Sequence, residues 1–200
     1  MEPKGNYLIE SELIEGLRSG DQEAFRFLVE NYQDKVIRTG KGFVHSDDDA
    51  EDIAQEVFIE VYQSISKFRG DAELSTWIYR IAVNKSLNFI RSASRRKILS
   101  FFEFPDSGKT SLANSLAASP DFNPDDDLRR SEQAEAVKKA IDTLPSNQKT
   151  AFVLSKYDDL SYQEIAAVMS SSVSSVESLI FRAKQNLQKK LYTFYKKNIA

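Results

Sequence analysis

Two hundred residues, 41% of them hydrophobic and 28% charged, allow one domain or two small ones, each with a packed core. The chain has no cysteine, which excludes disulfides, thiolate catalysis and cysteine zinc sites and fits a reducing, cytoplasmic setting. No apolar run nears the roughly eighteen residues of a membrane span, and the N-terminus lacks a signal-peptide pattern, so no membrane insertion is expected.

In chain order, residues up to Gly20 read as a weak helix. From Asp21 to Phe43, Phe25, Leu28, Val29, Tyr32 and Val36 recur at helical spacing. Asp21 is the expected N-cap, with Gly40 and Gly42 as the helix end. A polar acidic stretch, His45–Asp49, follows, with His45 expected at the surface. Asp49–Phe68 reads as a second helix, Arg69–Ser75 as a loop and Thr76–Arg91 as a third helix. Composition shifts after Lys97, and Ser, Asp, Asn and Pro dominate Asp106–Asp127. That is the signature of a mobile linker, whose start Phe101, Phe102 and Phe104 would pin to a surface. Helical pattern resumes over Leu128–Thr143, breaks at Pro145 and returns over Asn147–Tyr157. No strand alternation and no internal repeat is visible. The expectation is an all-α chain of two small helical domains, 1–97 and 131–200, joined by a flexible linker over 98–130.

The last segment carries a helix-turn-helix. Ser161 with Glu164 forms a capping box before Ile165, Ala166, Val168 and Met169. Ser170–Ser172 make the turn, with Ser172 as N-cap of the next helix. Val173, Val176, Ile180, Ala183 and Leu187 mark that helix's buried stripe. At about 100° per residue, Ser174, Ser178, Phe181, Arg182, Gln185 and Lys189 fall on the opposite face, with Ser172 and Ser175 at its entry. Small residues at the N-terminal end let the backbone approach a major groove, and donors further along reach phosphates and base edges.

The third helix carries a different chemistry. Trp77, Arg80, Asn84, Asn88 and Arg91 share a narrow arc. Aromatic faces stack on unpaired bases, amides read base edges and arginines hold the backbone. The preceding loop, with Arg69, Gly70 and Asp71, would supply one wall for a flipped base. A duplex-reading helix and a face for unstacked bases on one chain point to a protein that grips a promoter at two places.

The second helix has a buried arc of Ile53, Ala54, Val57, Phe58 and Val61. Asp52, Gln55, Glu56 and Gln63 oppose it, with Ile59 among them, a pattern that suits a protein-binding patch. Asp47, Asp49 and Glu51 mimic the start of a calcium loop, but Asp52 and Phe58 stand where glycine and the terminal glutamate are needed, so no metal is expected. Charge is segregated: acids crowd Asp47–Glu60 and Asp121–Asp127, and after Glu177 only bases remain. That suits a basic face for DNA and an acidic face for another partner.

Together these residues resemble the bacterial sigma factors of the extracytoplasmic-function class, over about Phe25–Arg96 and Ala134–Leu191. DAEDIAQEVF (Asp49–Phe58) looks like the region-two helix that docks on the β′ clamp helices of core RNA polymerase, which implies Asp49, Asp52, Gln55 and Glu56, beside Ile59, as contacts. FRGDAELSTWIYRIAVN (Phe68–Asn84) looks like the element that melts and reads the -10 region. The resemblance implies that Arg69, Gly70, Asp71, Trp77, Arg80 and Asn84 meet bases there, with Asn88, Arg91, Arg95 and Arg96 on the backbone. Leu144–Leu187 looks like region four, which reads the -35 element and meets the polymerase β flap. Ser170 stands where this family often has glycine, and Glu177 and Leu179 where bases are common. No cofactor and no catalysis are implied; an anti-sigma factor is an implied partner. A stand-alone, dimeric helix-turn-helix regulator would leave the acidic helix and the Trp77 stripe unexplained. A small acid-rich hydrolase would lack a cleft.

Overall fold

The computed structural model describes residues 10–103 and 124–199, with side chains for 10–96 and 131–196. The described residues form eight α-helices and no strand: α1 (Glu10–Ser19), α2 (Gln22–Val44), α3 (Asp47–Ser64), α4 (Leu74–Glu103), α5 (Pro124–Asp142), α6 (Ser146–Lys156), α7 (Tyr162–Val168) and α8 (Val173–Ile199). A 3-10 turn, Ile65–Lys67, closes α3. The all-α expectation holds. Helices enter the expected linker from both sides; the rest of it and the side chains of Phe101, Phe102 and Phe104 lie outside the described residues.

Local signals set most helix starts. The Asp21 carboxylate accepts from Glu23 N–H at 2.9 Å and starts α2. Ser46 Oγ accepts from Asp49 N–H and starts α3, whose first turn carries Asp47, Asp48 and Asp49 where the helix dipole favours negative charge.

Gly40 and Gly42 do not end α2, contrary to expectation. The helix runs on to Val44 and stops at His45, which adopts φ 60° and donates its N–H to Lys41 O. Both glycines serve close packing. A Cβ at 40 would lie 3.3 Å from Ala50 of α3, and one at 42 would lie 2.5 Å from Val153 Cγ1 of α6.

Helices α1–α4 enclose one core, with Leu28, Val36, Val57, Leu74 and Ile78 at its centre. The Glu10 carboxylate accepts from Leu74 N–H at 2.9 Å, and Arg18 donates to the Phe68 carbonyl, so α1 braces the loop before α4. Ala140, Ile141, Leu144, Ala183 and Leu187 make a smaller core between α5 and α8. A third cluster belongs to both halves. Phe43, Tyr79 and Val83 pack with Val153, Leu154, Ile165 and Val168.

Two further expectations are corrected. The His45 side chain is only 10% exposed, because it bonds Asp142 of α5 at 3.0 Å. Val173 is 36% exposed rather than part of the buried stripe, since it lies in the first turn of α8, before the helix meets its neighbours.

Candidate functional site

The first surface is a groove of about 730 Å³ between α2 and α3. Its floor is apolar: Phe25, Val29 and Ile37 from α2, and Ala54, Phe58 and Tyr62 from α3. Glu51, Gln55 and Ile59 also line it, with Ile59 56% and Tyr62 60% exposed. The Phe25 and Tyr62 rings meet edge-on at 5.5 Å. Asp52 and Glu56 are exposed on the same face of α3, and Asp49 is half-buried at its start. Glu56 is shared with Lys85 of α4, 3.7 Å away. The sequence reading found the α3 side and missed the α2 side. Phe25 and Val29 recur at helical spacing like the core residues of α2 but are only half-buried, because the apolar arc of α2 is wider than its core contact.

The second surface lies where the loop meets α4. Gly70 adopts φ 76°, a left-handed conformation that suits glycine, and turns the chain so that Arg69, Gly70 and Asp71 are exposed. Lys67, Arg69, Asp71, Ala72, Trp77 and Arg80 ring a cleft of about 180 Å³ with Phe68. Trp77 is half-buried and tilts onto the Phe68 ring at 5.1 Å, so part of its face is spent on packing. Asn84 and Asn88 are exposed further along α4, and Arg91 donates to Asn88 Oδ1 at 3.3 Å. Arg95 and Arg96 are exposed beyond them. Arg80 is engaged elsewhere: it donates to the carbonyls of Ala167 (2.6 Å) and Val168 (3.3 Å) in α7.

The third surface is the helix-turn-helix. Ser161 Oγ accepts from Glu164 N–H at 3.3 Å, and Glu164 Oε2 accepts from Ser161 N–H at 2.7 Å. The Ser161 hydroxyl also donates to Glu164 Oε2 at 2.7 Å, and this bond together with the one from Ser161 N–H holds the Glu164 carboxyl below its ordinary pKa. Ser170 takes φ 50°, and Ser171 N–H donates back to Ala166 O at 2.9 Å, closing α7. Ser172 Oγ accepts from Ser175 N–H at 3.2 Å and starts α8, which leaves α7 at 101°. Ser174, Ser178, Phe181, Arg182, Gln185 and Lys189 are exposed on α8, with Ser175 half-buried.

A cleft of about 300 Å³ connects the last two surfaces, with Arg80, Asn84 and Leu87 on one wall and Asn147, Met169 and Ser170 on the other. Asn147, Met169 and Ser170 carried no sequence signal for this placement, because it depends on how the two halves pack.

The family comparisons fall on these surfaces. The Sigma-70 region 2 model matches residues 28–96 and the Sigma-70 region 4 model matches 134–187. The ECF RNA polymerase sigma-E factor of Escherichia coli K12 is 36% identical over 184 residues, covering 92% of this chain and 95% of that protein. The chain belongs to the extracytoplasmic-function sigma factors. As a sigma factor it binds core RNA polymerase, directs it to promoters by reading the -10 and -35 elements, and promotes DNA melting. The RNA polymerase sigma-H factor of Pseudomonas aeruginosa is likewise 36% identical, over 187 residues, 91% of this chain and 93% of that one. Two solved structures share the fold. CnrH in complex with the cytosolic domain of CnrY has a TM-score of 0.64 at 22% identity, covering 92% of this chain and 97% of that one. Bartonella quintana RpoE in complex with the anti-sigma factor NepR has a TM-score of 0.57 at 21% identity, covering 84% and 96%. The groove (but for Phe25), the loop and the α4 face lie in the sigma factor's region 2 match, and the capped turn and exposed face of α8 lie mostly in its region 4 match.

Proposed function

We propose a division of labour among the three surfaces. The α2–α3 groove, with Gln55 and Ile59 in its wall and Asp49, Asp52 and Glu56 on its acidic face, takes the clamp helices of polymerase. A half-apolar groove rimmed by carboxylates suits a basic, amphipathic helical partner. The cleft at Arg69, Gly70, Asp71, Trp77 and Arg80 holds an unstacked -10 base; Asn84 reads, and Asn88, Arg91, Arg95 and Arg96 hold the strand. Ser172, Ser174, Ser175, Ser178, Phe181 and Gln185 enter the -35 major groove, while Arg182 and Lys189 meet phosphates. Residues 1–97 and 131–200 act as the two modules, with 98–130 between them.

The chain itself makes and breaks no bond and works beside polymerase in the cytoplasm. An anti-sigma protein is a further partner under this reading, in keeping with the complex of Bartonella quintana RpoE with the anti-sigma factor NepR. One observation carries the reading: Trp77, Arg80 and the exposed loop ring a single cleft on the half that also bears the groove.

Run-off transcription with purified core polymerase and a promoter library tests it. Wild type gives discrete transcripts. Asp52→Ala with Gln55→Ala loses polymerase binding, and Asn84→Ala loses open complex more than duplex binding. Normal polymerase binding by the first, or equal losses in the second, removes the corresponding assignment.

A further inference from the structure

A helix that lies against DNA carries bases, because the duplex bears one negative charge per about 1.7 Å of its length. Helix α8 follows that rule from Arg182 to Lys197 and breaks it once, at Glu177, its only acid. The exception stands in the part of the helix assigned to the groove, between Ser174 and Ser178.

No structural role absorbs this carboxylate. The cap of α8 is Ser172, whose Oγ accepts from Ser175 N–H at 3.2 Å. Glu177 follows the first turn, Val173–Val176, so it lies beyond the reach of the helix dipole. Three and four residues on stand Ile180 and Phe181, neither of them a base, so no ion pair forms along the helix. The Glu177 side chain is exposed and, among the described residues, makes no salt bridge and no side-chain hydrogen bond.

Its position suits a reader. At about 100° per residue, Glu177 lies roughly 40° from Phe181 and 60° from Ser174, on one flank of the exposed face. Lys184, also exposed, follows on the same flank two turns later. A recognition helix brings its N-terminal residues to the base edges. Residues further along meet phosphates, which position the helix without reading sequence. This flank therefore has an acceptor where base edges are in reach and a donor where the backbone is.

An ionised carboxylate accepts hydrogen bonds and donates none. In the major groove guanine shows two acceptors, and thymine an acceptor and a methyl group. Adenine offers N6–H₂ beside its own N7 acceptor, which repels a second carboxylate oxygen. Cytosine offers N4–H₂ with no acceptor on its own edge.

We infer that Glu177 selects cytosine at one position of the -35 element. The inference rests on the reading that α8 enters the -35 groove, and the test separates the two.

Holoenzyme assembled from core polymerase and the full chain is offered promoters with the -35 block randomised and the -10 element fixed, and the retained templates are sequenced. Wild type is expected to enrich cytosine about tenfold at one position. Glu177→Ala is expected to flatten that position and leave the others as they were. Glu177→Gln is expected to move it to adenine, since an amide accepts from N6 and donates to N7. The side chain has no partner in the fold, so neither variant disturbs it. A Glu177→Ala profile identical to wild type overturns the assignment. So does equal flattening at every position, which would mean that the charge acts on the whole interface and not on one base. Wild type with no -35 preference at all removes α8 from the groove; a clear preference that ignores Glu177 removes the cytosine contact alone.

Discussion

Lys149 Nζ lies 2.8 Å from the carbonyl oxygen of Phe43 and 2.7 Å from Asp142 Oδ1, joining α6 to the end of α2. Asp142 also meets His45. Burial of Asp142 works to raise its pKa, but the hydrogen bonds from His45 and Lys149 outweigh it and the net shift is downward. Lys149→Met keeps the stem and removes the charge. Asp142 is half-exposed and can rehydrate, whereas the Phe43 carbonyl loses its cross-domain donor. The expected loss is about 2 kcal/mol, from one charge-assisted bond plus an orphaned acceptor. Urea unfolding reads it as a lower midpoint, with a broadened or split transition as the halves uncouple. An unchanged midpoint would show that the lysine contributes nothing to the joint.

Asp158 sets a pH dependence. Burial, opposed by Thr39 and Arg38, pushes its carboxyl from 3.8 up to about 6. The groups facing it are Arg38 and Thr39 of α2 and Tyr79 of α4, with Asp159 beside it. The packed state therefore binds this proton more tightly than a state with the carboxyl in water. Its contribution is fully present below about pH 4 and is lost as pH rises through about 6, a difference of roughly 3 kcal/mol for a two-unit shift. Asp158→Asn removes this titration and retains an acceptor for Thr39. The stability gained by Asp158→Asn over wild type is expected to be larger at pH 8 than at pH 4.5, by urea titration at both values. A gain that does not change with pH removes Asp158 as the titrating group.

The turn of the helix-turn-helix carries strain that a substitution relieves. Ser170 sits at φ 50°, where an L-residue with a Cβ is disfavoured by about 1–2 kcal/mol. Ser170→Gly is expected to stabilise the chain by about 1 kcal/mol and raise the melting temperature by roughly 2–4 °C. Ser161→Ala removes the cap and is expected to lower stability by about 1 kcal/mol. Circular dichroism melting checks both. A lower melting temperature for Ser170→Gly would mean the serine makes a compensating contact.

Much of this chain is legible from local rules. The Asp21, Ser161 and Ser172 caps are short-range hydrogen bonds, and each sits where the residue pattern puts it. The buried arc of α3 follows from helical period alone. What escapes is packing between distant segments. Glycine in a helix signals either a stop or a close neighbour. At Gly40 and Gly42 the neighbours, Ala50 and Val153, decide it, and the second is over a hundred residues away. His45 looks like a turn residue until Asp142 is beside it. Trp77 and Arg80 lie on the expected face of α4, but Phe68 takes part of one and α7 takes the other. Periodicity gives the direction of a side chain and not what it meets.

The exposed apolar pair in the groove yields the sharpest forecast about polymerase. Ile59 and Tyr62 are more than half exposed, and Phe25 lies under Tyr62. Exposed apolar residues at the centre of a groove dominate binding when a partner covers them, while rim charges tune rate and specificity. Ile59→Lys places a charge where a hydrophobic partner would dehydrate it, so core polymerase affinity is expected to fall tenfold or more, about 1.4 kcal/mol per decade. Folding stability should move by less than about 0.5 kcal/mol, because Ile59 is more than half exposed and belongs to no core cluster. Glu56→Ala is expected to be milder, since that carboxylate is shared with Lys85. Fluorescence titration of labelled sigma factor with core polymerase ranks the two. If Glu56→Ala proves the more damaging, the partner is read by charge at the rim and the groove floor is not its seat.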